Sequence, residues 1–280
     1  MKRQTAMVQI KKIAIWIPLI IFLTWTLLPL IWSLSASFKP ALELYKKPPS
    51  LIPRDFTWNS YIGVFTFQNF WVFLMNSFIL AIGSTLITIL VSSLAGYAFA
   101  RYMFPLRNLL LMMVLIPRIL PRSALVVPLY RLFAAIGILD TYWVLLLTYT
   151  ATAVPMCAWI LAGFFKGIPP SLEESAKLDG AGFFTVLYRI ILPVALPGLI
   201  SVIIVAGVQS WNEFPFVLAF TSSPALRTLP YQLFLMQDTM GIQDWSLINA
   251  FSIVTILPIL ILFIVFQKRV INGFIGGAVK

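Results

Sequence analysis

The sequence predicts an all-α polytopic membrane protein with six transmembrane helices. Three observations predict it. Of the 280 residues, 60% are apolar and only 10% are charged, against roughly 25% charged in a soluble domain. Mean hydropathy is +0.96. The apolar residues also gather into six stretches near the length of about 20 residues that crosses roughly 30 Å of hydrocarbon. Such a chain needs lipid as well as a core to cover its surface. The composition excludes an ordinary soluble enzyme, a disordered protein and a disulfide scaffold. The net charge of +11 comes from twenty Lys+Arg against nine Asp+Glu. In a soluble protein it would suggest nucleic acid; here it reads as topology, because Lys and Arg collect on the cytoplasmic side, and no nucleic-acid partner is expected. Cys157 is the single cysteine, so no disulfide forms within the chain. With no histidine, Ser-His-Asp chemistry, His-ligated metals and His proton relays are excluded, and no metal site or catalytic residue is expected.

The first stretch, 13–34, follows Lys2, Arg3, Lys11 and Lys12. A signal peptide is the alternative, with Ser35-Ala36-Ser37 offering small residues for cleavage. The apolar run is far longer than a signal core of about 7–15 residues, so a retained first span is expected. The second span, 72–99, ends at Arg101 and Arg107. The third, 109–130, is interrupted by Pro117, Arg118, Pro121, Arg122 and Pro128. The fourth, 142–165, ends at Lys166. The fifth is 194–220. The sixth, 247–266, ends at Lys268 and Arg269. No solenoid repeat or low-complexity tract interrupts the chain, so 1–280 reads as one transmembrane domain.

Six spans leave both termini on one side of the membrane. That side carries Lys2, Arg3, Lys11, Lys12, Arg101, Arg107, Lys166, Lys177, Arg189, Lys268, Arg269 and Lys280. The opposite side carries Lys39, Lys46, Lys47, Arg54, Arg131 and Arg227. The bias puts both termini in the cytoplasm. The outer connection 37–71, rich in Pro, Trp, Tyr and Phe, reads as an interfacial belt. The segment 222–246 also lies outside. The segment 167–193 lies in the cytoplasm.

That cytoplasmic loop carries the most specific signal. Pro169 and Pro170 stop the fourth span. Ser171 is a natural N-cap, and Glu174 three residues later completes a capping box. Glu173 and Glu174 sit in the first turn, where the helix dipole favours anions, and read as exposed charges. Gly180 suits the residue beyond a helix C-terminus. A short helix over 172–179 is therefore predicted, with Leu172, Ala176 and Leu178 on its apolar side. An aromatic segment, 183–191, leads into Leu192-Pro193. Residue chemistry alone leaves two readings open: an interfacial linker, or a docking helix for a cytoplasmic partner.

The spacing resembles the EAA loop of binding-protein-dependent ABC importer permeases. Glu174-Ser175-Ala176 is followed by Gly180, then Ile190, then Leu192-Pro193, and only Ser175 departs from the family pattern. Trp211-Asn212-Glu213-Phe214, Arg227-Thr228-Leu229-Pro230, Asn76-Ser77 and the ending Gly276-Gly277-Ala278-Val279-Lys280 are similar to the carbohydrate branch, the maltose- and glycerol-phosphate-type second permease. The resemblance implies a type I importer permease in a prokaryotic inner membrane. Its partners would be a second permease subunit, two ABC ATPase subunits and an extracytoplasmic substrate-binding protein. It further implies that the loop is a coupling element, with Leu172, Glu173, Glu174, Ser175, Ala176, Asp179, Gly180, Ala181 and Pro193 as its residues and the small side of the helix, at Ala176, seated in the ATPase. The sequence holds no Gly-x-x-x-x-Gly-Lys-Ser/Thr loop, so ATP and its Mg are expected on a separate chain. This subunit is expected not to be an enzyme.

Ionisable groups within spans are costly and usually face protein or a cavity. Arg118 and Arg122, four apart, are expected on one helical face, roughly 14 and 20 Å along the third span. Glu213 is roughly 28 Å along the fifth, so Arg122 and Glu213 could meet in the outer half. Snorkelling of Arg122 and an interfacial Glu213 are the bland alternatives. A sugar site needs flat aromatics and hydroxyl-binding amides or carboxylates, which Gln209, Trp211, Asn212 and Glu213 supply. Asn76, Tyr149 and Trp159 are further candidates. The expected function is translocation of a sugar or sugar derivative. An ABC permease for another polar solute, an ion-coupled secondary transporter and a membrane-embedded enzyme are the alternatives.

Overall fold

The computed structural model describes residues 2–237 and 243–278, with side chains from 15 to 237 and from 243 to 267. The terminal Val279-Lys280 lie outside the described residues. Helix α1 (Lys2–Ser37) is followed by a 3-10 turn (Ala41–Tyr45) and α2 (Asn59–Phe65). Next come α3 (Phe70–Arg101), α4 (Arg107–Leu115), a 3-10 turn (Ile116–Arg118), α5 (Arg122–Ala135) and α6 (Tyr142–Lys166). Then follow α7 (Ser171–Leu178), α8 (Phe183–Thr185), a π-helical turn (Val186–Ile191) and α9 (Leu192–Val194). The order ends with α10 (Leu196–Trp211), α11 (Pro215–Phe220), a 3-10 turn (Pro224–Leu226), α12 (Leu229–Gln237) and α13 (Trp245–Ala278).

Among the described residues, four helices are long and apolar enough to cross a bilayer unbroken: Ile15–Ser37, Phe70–Arg101, Tyr142–Lys166 and Trp245–Gln267. The other two expected spans are bent. Arg107–Arg118 meets Arg122–Ala135 at 95°, and Phe183–Val194 meets Leu196–Trp211 at 84°. The span count is therefore four, or six if each bent pair crosses. A proline stands at the first bend. Pro121 takes an extended conformation (φ −62°, ψ 137°) immediately before α5, so 109–130 is not one helix. The stretch 194–220 divides as well. Ala195 leaves helical geometry (ψ 14°) before α10. Pro215 then lacks an N–H and disfavours the helical region for Phe214, which sits at φ −132° and opens α11.

The chain divides into two compact units, residues 1–68 with 236–256, and residues 69–235 with 257–280. In the first unit the connection after α1 is folded around a carboxylate. Buried Glu43 accepts the backbone N–H of Arg54 (2.9 Å) and of Asp55 (3.3 Å), and the Ser50 hydroxyl (3.2 Å). These donors, the Arg54 N–H foremost, hold the Glu43 carboxyl below the usual glutamate range. Phe38 gathers Phe56, Trp58 and Tyr61 at centroid distances of 4.8 to 5.0 Å. These four rings form a small cluster within the aromatic-rich connection, with Phe56 and Trp58 still exposed.

In the second unit α3, α6 and α10 pack closely. A Cβ at Gly96 would lie 2.9 Å from Leu161 Cβ and 3.1 Å from the Ala158 carbonyl. One at Gly198 would lie 2.6 Å from the Phe164 ring. Small residues let membrane helices approach in this way, because lipid tails supply no hydrophobic drive toward association. Ser84 of α3 donates to Ser210 of α10 at 2.8 Å. The core continues through Tyr97, Cys157, Leu161, Phe165, Leu187, Ile191, Val202 and Ala206. Leu86, Ile87 and Leu90 point outward and are exposed.

Candidate functional site: loop 167–193 and the polar break at Arg122 and Glu213

The loop helix forms where the sequence puts it, but it starts differently. Pro170 holds the N-cap position with helical angles (φ −59°, ψ −28°) and no side-chain cap bond forms. Its carbonyl accepts the N–H of Glu173 (2.9 Å) and Glu174 (3.1 Å). Ser171 is therefore the first helical residue and the capping box is not made. The ring of Pro170 already fixes φ for a helix. The Ser171 carbonyl instead accepts the Ser175 hydroxyl at 2.9 Å. The C-terminus follows the expected design. Gly180 has φ +83°; its N–H reaches the Lys177 carbonyl (3.0 Å) and that of Ala181 reaches the Ala176 carbonyl (2.9 Å). This bonding is a Schellman motif, which needs a left-handed residue and so favours glycine.

The faces of α7 reverse two expectations. Glu173 is 4% exposed and Ala176 is 9% exposed. Three apart, they share one side of the helix, and that side faces the chain's own core. Ala176 packs within the cluster that holds Ile168 and Leu187, so it is not the outward docking face. Glu173 is not a solvated first-turn charge. It accepts the Tyr97 hydroxyl at 2.6 Å and is ion-paired with Arg101 Nε. A second Arg101 nitrogen donates to the Ile168 carbonyl at 2.9 Å. The outward face holds Leu172, Glu174, Ser175, Leu178, Asp179 and Gly180, with Leu178 90% exposed. Beyond it Phe184 is exposed and stacks on Tyr188. Pro193 lies in α9, before the bend at Ala195. Sequence reasoning missed Tyr97 and Arg101. Arg101 counted there only as a topological charge, and its distance along the chain from Glu173 left no local signal.

At the second break, Arg122 of α5 is ion-paired with Glu213, which also accepts the Phe216 N–H at 3.2 Å. The expected meeting of these two residues is present. Arg118 ends the 3-10 turn on the other side of Pro121, so it does not share a helical face with Arg122. Its guanidinium donates to Gln209 Oε1 (3.2 Å), and Gln209 Nε2 donates to Thr152 Oγ1 (3.0 Å). Asn212 is exposed and donates to the Val208 carbonyl at 3.0 Å. Trp211 is buried, edge-on to Phe78 at 5.1 Å, so its ring is not offered to a solute. Asn76 is a clasp rather than a solute contact. It donates to the Ala225 (2.7 Å) and Arg227 (2.8 Å) carbonyls and accepts the Tyr142 hydroxyl (2.6 Å). Ser77 accepts the Leu229 N–H at 2.9 Å, fastening the same segment. Asp140, in the left-handed region at φ 56°, accepts the N–H groups of Ser222 (2.9 Å) and Ser223 (3.0 Å); the sequence reading placed it only as an outer acidic residue. Tyr149 is buried, and Trp159 is half-exposed.

The family described as binding-protein-dependent transport system inner membrane component matches residues 88–273, which include the loop and the Arg122–Glu213 break. The sulfoquinovosyl glycerol transport system permease protein SmoH of Agrobacterium fabrum is 38% identical over 91% of this chain and 89% of that protein. The trehalose transport system permease protein SugB of Mycobacterium tuberculosis is 34% identical over 91% of this chain and 93% of that protein. A chain in the crystal structure of a bacterial ABC transporter that imports the acidic polysaccharide alginate has the same fold. It aligns with a TM-score of 0.82 at 19% identity, covering 93% of this chain and 96% of that chain. With the loop's spacing and the helical framework that carries it, these likenesses assign the protein: it belongs to the binding-protein-dependent transport system inner membrane component family, the ABC transporter permeases, and is a multi-pass transport subunit.

Proposed function

We propose that this chain is one of two permease subunits of an ATP-driven importer, translocating a sugar or sugar derivative delivered by an extracytoplasmic binding protein. Residues 1–280 form one transmembrane domain with both termini and the loop 167–193 in the cytoplasm. Two ATPase subunits hold ATP and Mg. Relatives named for sulfoquinovosyl glycerol and trehalose transport support the solute class. The observation that carries the coupling role is the outward face of α7. It offers Leu172, Glu174, Ser175, Leu178 and Asp179 on a short helix held from within. Gly180 and Ala181 turn the chain away from that face, and Pro193 precedes the bend that leads into α10. The exposed polar groups Arg118 and Asn212, with Gln209 of α10 bonded to Thr152 of α6, suit a hydroxyl-rich solute. The Arg122–Glu213 pair shapes the break beside them.

Co-purification with an ATPase subunit, then binding-protein-dependent uptake in proteoliposomes, tests the reading. Cysteines introduced at Lys46 and Ser223 should react with an impermeant thiol reagent in whole cells, and one at Gly182 should not. Labelling at Gly182 from outside, or uptake without an ATPase, would overturn the proposal.

A further inference from the structure

We infer that Glu173, Arg101 and Tyr97 form a clamp that makes α7 and α3 a single mechanical body, so that motion of the loop helix is delivered to α3. The inference rests on the proposed docking of α7 to an ATPase, and it assigns Glu173 a different task from the residues that dock. Glu173 faces inward and is nearly inaccessible, so an incoming partner meets the opposite side of the helix.

Three elements meet at one guanidinium. Arg101 is the last residue of α3. Its Nε is paired with Glu173 in the first turn of α7, and a second nitrogen donates to Ile168, just beyond the end of α6. Tyr97, one turn earlier on α3, donates to the other carboxylate oxygen of Glu173 at 2.6 Å. Both carboxylate oxygens are thus held by the same helix. Side-chain exposures of 13% for Arg101 and 6% for Glu173 leave little water to compete, and charge-assisted bonds in such a setting are strong and directional. Otherwise α7 joins the spans through Pro169-Pro170 and through the turn at 179–182, both chain connections, and through the apolar contact of Ala176, which resists sliding poorly.

The far end of α3 is also fastened. Asn76 and Ser77 hold the segment 225–229 by three hydrogen bonds from 2.7 to 2.9 Å. Asn76 and Arg101 are roughly 38 Å apart along the helix axis. One continuous helix therefore connects the loop to that segment with a fixed grip at each end. Glu173, Arg101 and Tyr97 act as positioning residues: they hold the docking helix, and they touch no solute.

A buried ion pair can also be merely structural, and the test separates the two. Glu173→Gln should leave the assembled complex, counted by ATPase pull-down, within about twofold of the parent. Uptake per assembled complex should fall by about tenfold, the scale of one buried charged hydrogen bond. The ratio of ATP hydrolysis with loaded binding protein to hydrolysis without it should fall toward one. The double variant Arg101→Met with Glu173→Met removes both charges, and such replacements commonly restore stability. Clamping predicts that this variant assembles but stays uncoupled; recovered uptake would reduce the pair to a structural one. If the double variant does not assemble, Arg101→Lys decides. It keeps the charge but loses the planar fork that aims separate nitrogens at Glu173 and Ile168, so the stimulation ratio should fall at parental assembly, and an unchanged ratio overturns the clamp. Leu178→Glu, on the outward face, tests the underlying docking separately. ATPase pull-down that survives this change sinks the docking reading, whatever the clamp variants do.

Discussion

Removing either partner of the Arg122–Glu213 pair should have unequal consequences, with the arginine the costlier loss. The side chain of Glu213 is 2% exposed, whereas that of Arg122 is 41% exposed. In Arg122→Gln the carboxylate stays buried with the Phe216 N–H, 3.2 Å away, as its remaining charge-stabilising donor. Breaking a fully buried pair costs about 3–5 kcal/mol. Because the Arg122 side chain is 41% exposed and the pair is not fully enclosed by the chain, a discounted cost of about 2–3 kcal/mol applies here. In Glu213→Gln the amide oxygen can still accept from Phe216, and the part-exposed Arg122 is not left enclosed by the chain, so the cost is about 1 kcal/mol. At about 2–4 °C per kcal/mol for chains of 150–250 residues, the midpoint should drop by roughly 4–12 °C for Arg122→Gln and 2–4 °C for Glu213→Gln. Thermal unfolding of the purified protein in micelles, followed by tryptophan fluorescence at one scan rate, measures both. The double variant should be less damaged than Arg122→Gln alone, because it removes the stranded charge. Glu213→Gln as harmful as Arg122→Gln, or a double variant at the sum of the singles, would refute the burial argument.

Two further outcomes follow from positions outside that pair. Gly180→Val should reach the membrane at near-parental levels yet lose uptake. A Cβ there meets nothing within 4 Å, so its penalty is the left-handed backbone alone, about 1–2 kcal/mol. Gly180→Asn, which tolerates that region, should retain most uptake in the same assay. Glu43 has a carboxyl held below its unfolded value. Its stabilisation is therefore full above the unfolded value and is lost as pH falls through the folded one. Melting of the parent should accordingly weaken through the acid range, whereas Glu43→Gln should be weaker at neutral pH and flatter as acid is added. Parallel pH curves would count against that role for Glu43.

The framework was legible because lipid imposes a simple rule. A crossing helix must be long and apolar, and its backbone must satisfy itself. α1, α3, α6 and α13 follow that rule and lie where hydropathy puts them. The other two expected spans were legible as apolar lengths and not as shapes. Pro121 and Pro215 stand at breaks, whereas the 84° bend falls at Ala195 and Pro155 and Pro258 lie inside continuous helices. The angle at each break depends on what packs against the freed backbone, which neighbouring residues do not encode. Glu213 shows the consequence: it was placed near the end of a continuous span, and it lies on the connection between α10 and α11.

The loop divides along the same line. Its termini are local chemistry, so Gly180 and the proline stop could be read from spacing alone. Its faces are tertiary, and there reasoning from composition misled. The family resemblance put Ala176 on a small docking side, and the first-turn position left Glu173 in solvent, because such a reading assumes that charges point outward. The structure buries both. It can bury Glu173 because Arg101 and Tyr97, more than 70 residues earlier, supply a cation and a hydroxyl to one carboxylate. A buried carboxylate without such partners is strongly disfavoured, so the inward position of Glu173 implies a partner that no local window contains. Two adjacent glutamates at the start of a short helix therefore do different work. Glu174 stays on the outward side with Leu178, and Glu173 fastens the helix to α3. The acidic pair reads as one helix-capping feature in sequence and separates into two roles only when the core it rests on is known.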